Sequence, residues 1–262
     1  MPLRAGELGL RPFPMPARGT HADGSMSFLE HLDELRSRLL RCILAYLVVF
    51  AACWYWSGPL LKFLLRPMQE HLGEGAGDIV FINVTEPFFI YMKASALAAV
   101  FVASPWILYQ LWAFISPGLY RHERMMVLPF LFFGTGFFVA GGAFGYYVAL
   151  PRAAGWLIAL GADFQAALTL RSAFQFVSLI LLGLGAVFEL PVLIFFLARL
   201  GIVTPAFLLK HFRVAVLAMA IVAAVITPTG DMLTMSMFAG PMILLYLLGV
   251  LVAWLFGAKR EG

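Results

Sequence analysis

The stretch FVASPWILYQLWAFISPGLYRHERMMVLPFLFFGTGFF, residues 101–138, contains two strongly apolar runs separated by a short polar loop. The charged residues of that loop lie close together: Arg121, Glu123 and Arg124. Two apolar runs joined by a charged loop are typical of helices that cross a membrane and turn at its surface. The stretch therefore predicts a helical membrane protein, and it raises the question of why a carboxylate lies inside a basic loop.

The composition of the whole chain also favours a membrane protein. Of the 262 residues, 62% are hydrophobic and 12% are charged, and the mean hydropathy is +0.92. Soluble domains carry about a quarter charged residues, so this chain would expose large apolar patches in water. A formal charge of +4 would suit nucleic acid binding in a soluble protein. Here the basic residues cluster at the ends of apolar runs, which indicates membrane orientation and no nucleic acid partner.

Six apolar segments are long enough to be transmembrane helices, because about 20 residues cross about 30 Å of hydrocarbon. They are residues 37–56, 88–113, 126–149, 172–198, 206–227 and 232–256. The fifth is the weakest, since Lys210, His211 and Arg213 interrupt its start and leave an apolar part of 13 residues. That part is about 20 Å long, so we expect a thinned bilayer or shielding neighbours there. The fold class predicted is all-α and polytopic, with six transmembrane helices.

The distribution of Lys and Arg predicts that both termini are cytoplasmic. Six spans place the termini on one side, and thirteen of the eighteen Lys and Arg residues fall on that side. Four fall on the opposite side, and Lys93 lies within the second span. Such a bias marks the cytoplasmic face of a cell membrane. We predict a disordered N-terminal extension over residues 1–25, with a true start at Met26 as the alternative, a membrane domain over 26–256 and a cytoplasmic tail over 257–262.

Motifs of enzymes and cofactor sites are missing from the sequence. It contains no GxxxxGK[ST], no HExxH and no GxSxG. Cys42 and Cys53 lie in one apolar run without CxxC spacing, so neither a disulfide framework nor a metal site is indicated. In GTGFFVAGGAFG of the third span, Gly141 and Gly145 form a small-residue face that indicates close helix packing. We expect no enzymatic activity, no metal and no organic cofactor.

The segment SFLEHLDELRSRLL, residues 27–40, predicts an amphipathic helix that lies along the interface and runs into the first span. Its apolar residues recur at helical spacing: Phe28, Leu32, Leu35 and Leu39. Glu34 and Arg38 lie on another face. From spacing alone, Glu34 is an i,i+4 partner of Arg38, a pair that contributes about 0.2–0.5 kcal/mol.

Four motifs, in this order among six spans, resemble the family of the twin-arginine translocase subunit TatC. They are FLEHLDELRSRLL, SPWILYQLWAFISPGLYRHER, FELPVL and ITPTGD. The resemblance extends from residue 26 to about residue 256, and its second motif is long and specific. It implies a receptor and core subunit that binds signal peptides carrying two consecutive arginines. It also implies export of folded proteins driven by the proton gradient, together with the single-span partners TatA and TatB and other copies of the same chain.

By this resemblance, Glu34 and Glu123 fall where the family's signal-peptide-binding glutamates lie. A guanidinium meets a carboxylate with two parallel N–H···O bonds, which an ammonium cannot form. Three basic residues would position the carboxylates and discourage other cations: Arg36, Arg121 and Arg124. Phe114, in the second motif, is predicted to form part of the wall of this loop. The resemblance thus explains a carboxylate inside a basic loop as half of an arginine receptor.

Glu189, in VFELPVL, is the second candidate site. It lies ten residues before Arg199, about 15 Å from the end of its span. A lone ionised carboxylate at such depth is costly, so we expect Glu189 to be protonated or partnered. One interpretation is a polar contact facing a groove where a signal peptide or a partner's span docks. The other is a buried bond to a polar residue of the chain, with these candidates: Lys93, Thr135, Gln175 and Ser178.

A third candidate region begins at the turn between the last two spans. Asp231 is suited to cap the final helix, and the resemblance implies that this region contacts single-span partners. Met235 stands where relatives often carry a glutamine, which weakens the case for a polar contact there. Two other classes of function remain as alternatives: an ion-coupled transporter using Glu189 and Lys93, and an intramembrane enzyme. The single midplane carboxylate argues against the transporter, and the missing nucleophile–base pair argues against the enzyme.

Overall fold

The computed structural model of the protein describes residues 28–70, 79–115, 127–161, 168–226 and 232–256. Within these ranges the chain is helical apart from short connections, so the predicted all-α class is confirmed. The β structure of these ranges is one isolated parallel bridge between Val80 and Thr169. The predicted extension over 1–25 and the predicted tail over 257–262 lie outside the described residues and stay predictions.

Ten α-helices follow one another along the described residues. They are α1 (Phe28–Tyr55), α2 (Ser57–Gln69), α3 (Glu86–Ile115), α4 (Val127–Phe144), α5 (Leu150–Leu160), α6 (Leu170–Phe188), α7 (Leu190–Arg199), α8 (Pro205–Lys210), α9 (Phe212–Ile226) and α10 (Met232–Phe256). Between α4 and α5, Gly145–Ala149 form one π-helical turn.

Six helical stretches of the described chain correspond to the six predicted spans. Five are long and apolar enough to cross a membrane: Glu30–Tyr55, Glu86–Phe114, Leu131–Leu160, Leu170–Arg199 and Phe238–Leu255. The remaining stretch, Phe212–Val225, is apolar but shorter, as predicted for the fifth span. The third span continues past its predicted end at residue 149, because Pro151 lies in the first turn of α5, where proline is tolerated.

Two predicted spans are each divided into two helices. The fourth is divided into α6 and α7, with Glu189 at the junction and Pro191 in the first turn of α7. Proline has no N–H to continue the helical hydrogen bonds, so a new helix begins beside it. The fifth is divided at His211, between α8 and α9. The fourth-span break places an acidic residue at a point where the helix is interrupted.

Close packing of α4 on α6 depends on the predicted small-residue face. A Cβ atom added at Gly141 would lie 2.5 Å from the Leu184 carbonyl oxygen and 2.9 Å from the Gly185 Cα. At Gly145 it would lie 3.4 Å from Leu184 and 3.5 Å from Ile180. The predicted role of these two glycines in helix packing is therefore confirmed, most clearly at Gly141.

The first span lies antiparallel along α3 at the edge of the bundle. The Tyr46 hydroxyl donates to the Ala96 carbonyl at 3.2 Å, and the Ser95 hydroxyl is 3.4 Å from the Cys53 carbonyl. Within the described chain, no residue in the most apolar part of this span is fully buried. Most of its apolar surface is therefore available to lipid. The antiparallel pairing brings the beginning of α1 beside the end of α3, and we call this the Glu34 end of the bundle.

At the opposite end, which we call the Glu86 end, two connections are joined. Backbone bonds link Val80 to Leu168 and Leu170 at 3.0 and 2.7 Å. The buried Glu86 carboxylate accepts the backbone N–H groups of Arg171 at 2.8 Å and Ile82 at 3.1 Å. These bonds attach the beginning of α3 to the beginning of α6.

Candidate functional site at the Glu34 end

Glu34 forms an ion pair with Arg38 on α1. Arg38 Nη2 lies 2.5 Å and Arg38 Nε lies 2.9 Å from the same carboxylate oxygen, Glu34 Oε1. The two side chains are 18% and 20% exposed, so the pair is mostly shielded from water. The i,i+4 pair expected from the spacing is therefore present, and Arg38 engages one oxygen of Glu34.

The second oxygen, Glu34 Oε2, is buried and has no hydrogen-bond partner among the described residues. A buried acceptor without a donor has lost its water without a replacement, which costs about 1–3 kcal/mol. Such an atom is uncommon in folded proteins and indicates a place for a missing donor. The carboxylate can therefore accept further N–H groups from a ligand that reaches it.

Gln110 connects this pair to α3. Its side-chain carbonyl Oε1 is 3.4 Å from Arg38 Nη1, and the residue is 2% exposed. Arg38 thus interacts with Glu34 on its own helix and with Gln110 on the neighbouring helix. Sequence reasoning missed Gln110 as a site residue, although a glutamine within an otherwise apolar span is a signal that finds it.

Phe114 joins the end of α3 to the beginning of α1. Its ring is stacked on the His31 imidazole, with ring centroids 4.4 Å apart and an interplanar angle of 18°. The stack lies at the same end of the two helices as Glu34. Arg36 is exposed on α1, and Glu34 interacts with Arg38 rather than with Arg36 in the structure. The roles proposed for Phe114 and Arg36 toward a peptide stay predictions.

The predicted site also includes the basic loop that follows α3, for which only the sequence is available. Arg121, Glu123 and Arg124 lie outside the described residues, and their roles stay predictions. The loop leaves α3 directly after Ile115, five positions beyond Gln110 and one beyond Phe114. The end of α3 therefore lies at the end of the bundle where Glu34 lies.

Glu189 lies between α6 and α7, close to the backbone of α4. A Cβ built on Gly134 would be 3.6 Å from Glu189 Oε2, so α4 approaches the carboxylate where it lacks a side chain. Glu189 Oε1 is buried and lacks a hydrogen-bond partner in the described part of the chain. The hydroxyl of Thr135, the residue after Gly134, is also buried and also lacks a described partner. Two polar groups without a described partner thus belong to the same region of the bundle.

The Glu189 side chain forms no bond with any of the four candidate partners, all of which are described. Lys93 is exposed on α3, and it forms no ion pair with Glu189, although both residues are described. The Ser178 hydroxyl donates to the Gln175 carbonyl of its own helix. Whether Glu189 serves a docking groove stays a prediction, but the described residues supply no polar partner for its side chain.

The third candidate region is only partly described. Asp231 lies outside the described residues, immediately before α10 begins at Met232. Met235 is half-buried and packs against the hydrophobic core. Among the described residues, no group of three or more His, Cys, Asp and Glu side chains lies close enough together to hold a metal ion. The partner contacts predicted for Asp231 and Met235 stay predictions.

The fold and site define a class of protein: a polytopic, all-helical membrane protein with a shielded, incompletely satisfied carboxylate at one end of its bundle. The sequence profile of the family described as Sec-independent protein translocase protein (TatC) matches residues 30–241. The chain belongs to this family and is a Sec-independent protein translocase subunit.

Similar proteins of known sequence and structure agree with that assignment. The Sec-independent protein translocase protein TatC of Koribacter versatilis is 44% identical over 238 residues, covering 90% of this chain and 88% of that protein. The corresponding protein of Helicobacter pylori is 38% identical and covers 85% of each chain. A crystal structure of the twin arginine translocase receptor TatC superposes with a TM-score of 0.76 at 31% identity, covering 86% of this chain and 99% of that one.

Proposed function

We propose that this chain is the receptor and core subunit of a twin-arginine translocase, which binds twin-arginine signal peptides and exports folded proteins with the energy of the proton gradient. The observation that carries the proposal is the Glu34 carboxylate, whose buried Oε2 has no donor within the described ranges. Its family membership and its similarity to a solved twin arginine translocase receptor support the same function. The chain itself would act as a binding and transport protein rather than as an enzyme.

The chemistry of the ligand follows from the chemistry of the site. A guanidinium can donate two parallel N–H bonds to the two oxygens of a carboxylate. In the shielded setting of Glu34 such a bond is stronger than in bulk water. With Glu123 in the loop that follows α3, the chain carries two acidic residues for a ligand with two guanidiniums. Lysine would bind more weakly, because an ammonium lacks the planar fork.

The proposal also includes the orientation of the chain in the membrane. We infer that the Glu34 end faces the cytoplasm, since most Lys and Arg residues fall on that side of the six spans. Both termini would then be cytoplasmic in the cell membrane. Signal peptides emerge in the cytoplasm, so this orientation is the one in which the receptor site meets its ligand.

Glu189 is the proposed contact for a polypeptide segment within the membrane. One oxygen of its carboxylate is buried and lacks a polar partner among the described residues, which favours docking of a signal peptide or a single-span partner of the TatA or TatB type. The alternative of an ion-coupled transporter is weakened, because Lys93 and Glu189, both of which are described, form no ion pair with each other. Asp231 and Met235 are proposed contacts for the same partners, and contact with further copies of this chain is proposed for the assembled translocase.

The receptor proposal is tested by peptide binding to the purified full chain in lipid nanodiscs. We expect a fluorescent twin-arginine peptide to bind, and Glu34→Gln to weaken that binding about ten- to a hundredfold, because a charge-assisted hydrogen bond is lost. Glu123→Gln should also weaken it. Asp33→Asn is the matched control, since Asp33 is an exposed acid beside Glu34, and it should leave binding unchanged. Equal binding of twin-arginine and twin-lysine peptides, unaffected by Glu34→Gln, would contradict the proposal.

A further inference from the structure

Arg38 donates hydrogen bonds to only one of the two carboxylate oxygens of Glu34. Its Nε and Nη2 both donate to Oε1, at 2.9 and 2.5 Å, while Oε2 is buried and receives no donor from the described residues. A guanidinium that meets a carboxylate in the fork geometry donates to both oxygens. The pair within this chain is therefore weaker in hydrogen bonding than the pair that an unconstrained arginine could form with the same residue.

The attachment of Arg38 to α1 explains this geometry. Arg38 lies four residues after Glu34 on the same helix, so its guanidinium reaches the carboxylate from one side. Its third nitrogen, Nη1, is 3.4 Å from the carbonyl oxygen of Gln110 on α3. Gln110 thus provides an acceptor that remains in place if Arg38 leaves Glu34. A guanidinium released from the carboxylate would still have a hydrogen-bond partner.

We propose that Arg38 is the resting occupant of the guanidinium site at Glu34 and is exchanged for an arginine of the signal peptide. This inference rests on the proposed receptor function. The incoming guanidinium supplies the donor that Oε2 lacks and takes Oε1 from Arg38, which then keeps its contact with Gln110. Binding replaces a one-oxygen ion pair with a two-oxygen pair, and it satisfies a buried acceptor that the described chain leaves without a donor.

The exchange lowers the measured affinity of the site for every ligand that has to displace Arg38. A ligand that needs Glu34 binds only when Arg38 has released it, so the measured affinity is the intrinsic affinity reduced by the open fraction of the site. This reduction applies equally to every ligand that can bind Glu34 only after Arg38 has left it. A ligand with a weak intrinsic affinity, such as a lysine peptide, is thereby kept below the level at which it occupies the receptor.

The test compares Arg38→Gln with Arg41→Gln in the purified full chain in nanodiscs. Arg41 is exposed on the same helix, so its loss removes an equal charge without opening Glu34. We expect Arg38→Gln to bind the twin-arginine peptide about two- to fivefold more tightly than Arg41→Gln. This factor in Kd corresponds to the free energy of one surface ion pair, which no longer has to be broken before the peptide binds. The twin-lysine peptide should gain by a similar factor.

Weaker binding by Arg38→Gln, or binding equal to that of Arg41→Gln, would overturn the exchange and assign Arg38 a positioning role. If Arg38→Gln does not fold, as judged by size-exclusion profile and thermal unfolding, Arg38→Lys is measured instead. An ammonium is a poorer occupant of Glu34, so tighter binding than in the wild-type chain supports the exchange and weaker binding overturns it.

The outcome also separates this inference from the receptor proposal on which it rests. A wild-type chain that prefers the twin-arginine peptide and loses it on Glu34→Gln, but shows no gain on Arg38→Gln, is a receptor without a resting occupant. A wild-type chain that treats both peptides alike and is insensitive to Glu34→Gln is not a twin-arginine receptor.

Discussion

Glu189 is an acidic residue that lies inside the helical bundle without a polar partner among the described residues. The break between α6 and α7 places it there, and Gly134 lets α4 approach its carboxylate. Leaving one charge of a buried pair alone costs several kcal/mol, so a Glu189 without a partner is best tolerated as a neutral acid or in contact with a group from another chain. Its arrangement therefore agrees with the proposed docking contact.

Replacing Glu189 by glutamine tests whether the residue serves the fold. We expect Glu189→Gln to change the free energy of unfolding by less than about 1 kcal/mol, because an amide has the shape of a protonated carboxyl and no ion pair of the described chain is lost. In a double-mutant cycle with Lys93→Gln, thermal unfolding should give a coupling energy below about 0.5 kcal/mol. A coupling above about 1 kcal/mol would mean that the two residues do form an ion pair.

At the level of the element, the crossing of α4 and α6 depends most clearly on Gly141. Gly141 faces the backbone of α6 at Leu184 and Gly185. A Cβ atom added at Gly136, five residues earlier on α4, would meet no described atom within 4 Å. The same helix thus carries one glycine that packing requires and one that it does not. The two residues form a matched pair for measuring how closely α4 and α6 must approach.

We expect Gly141→Ala to lower the free energy of unfolding by about 1–3 kcal/mol, because its methyl group would overlap backbone atoms of α6. Gly136→Ala should leave it unchanged or raise it by up to about 1 kcal/mol, since alanine favours a helix more than glycine does. Thermal unfolding in the same detergent measures both. Equal effects of the two substitutions would show that the close approach of the helices is not needed for stability.

The whole molecule is a bundle in which helices of different length and burial meet. The first span is peripheral, and α9 has only 15 residues, about 22 Å at 1.5 Å per residue. That length is less than the hydrocarbon thickness, so the predicted thinning or shielding applies to α9. The bundle also has a direction in the membrane, since one of its two ends faces the cytoplasm.

Labelling of single cysteines determines that direction. In a chain lacking Cys42 and Cys53, Thr85→Cys at the Glu86 end and Lys210→Cys at the Glu34 end introduce exposed thiols. We expect a membrane-impermeant maleimide to label Thr85→Cys in cells whose inner membrane is intact, and Lys210→Cys only after lysis, because the basic loops stay in the cytoplasm. The reverse pattern would contradict the proposed orientation and place Glu34 away from emerging signal peptides.

The sequence predicted the number of spans, the weakness of the fifth and the packing role of Gly141, because hydropathy, helical period and residue size are local properties. It did not predict that the third span runs on to Leu160 or that the fourth breaks at Glu189. A proline within an apolar run is compatible with both continuation and interruption. Which of them occurs at Pro151 and at Pro191 depends on the helices packed around each site.

For the candidate site, the sequence by itself determined the residue types: a carboxylate with an i,i+4 arginine on an amphipathic helix, and a second carboxylate in a basic loop. Only the tertiary structure decided that Arg38 takes one oxygen of Glu34 and reaches Gln110, which is 72 residues away. The spacing along one helix defines its own neighbours, but a contact between helices depends on their register. Packing of α1 against α3 sets that register and leaves Glu34 Oε2 without a donor from the described helices.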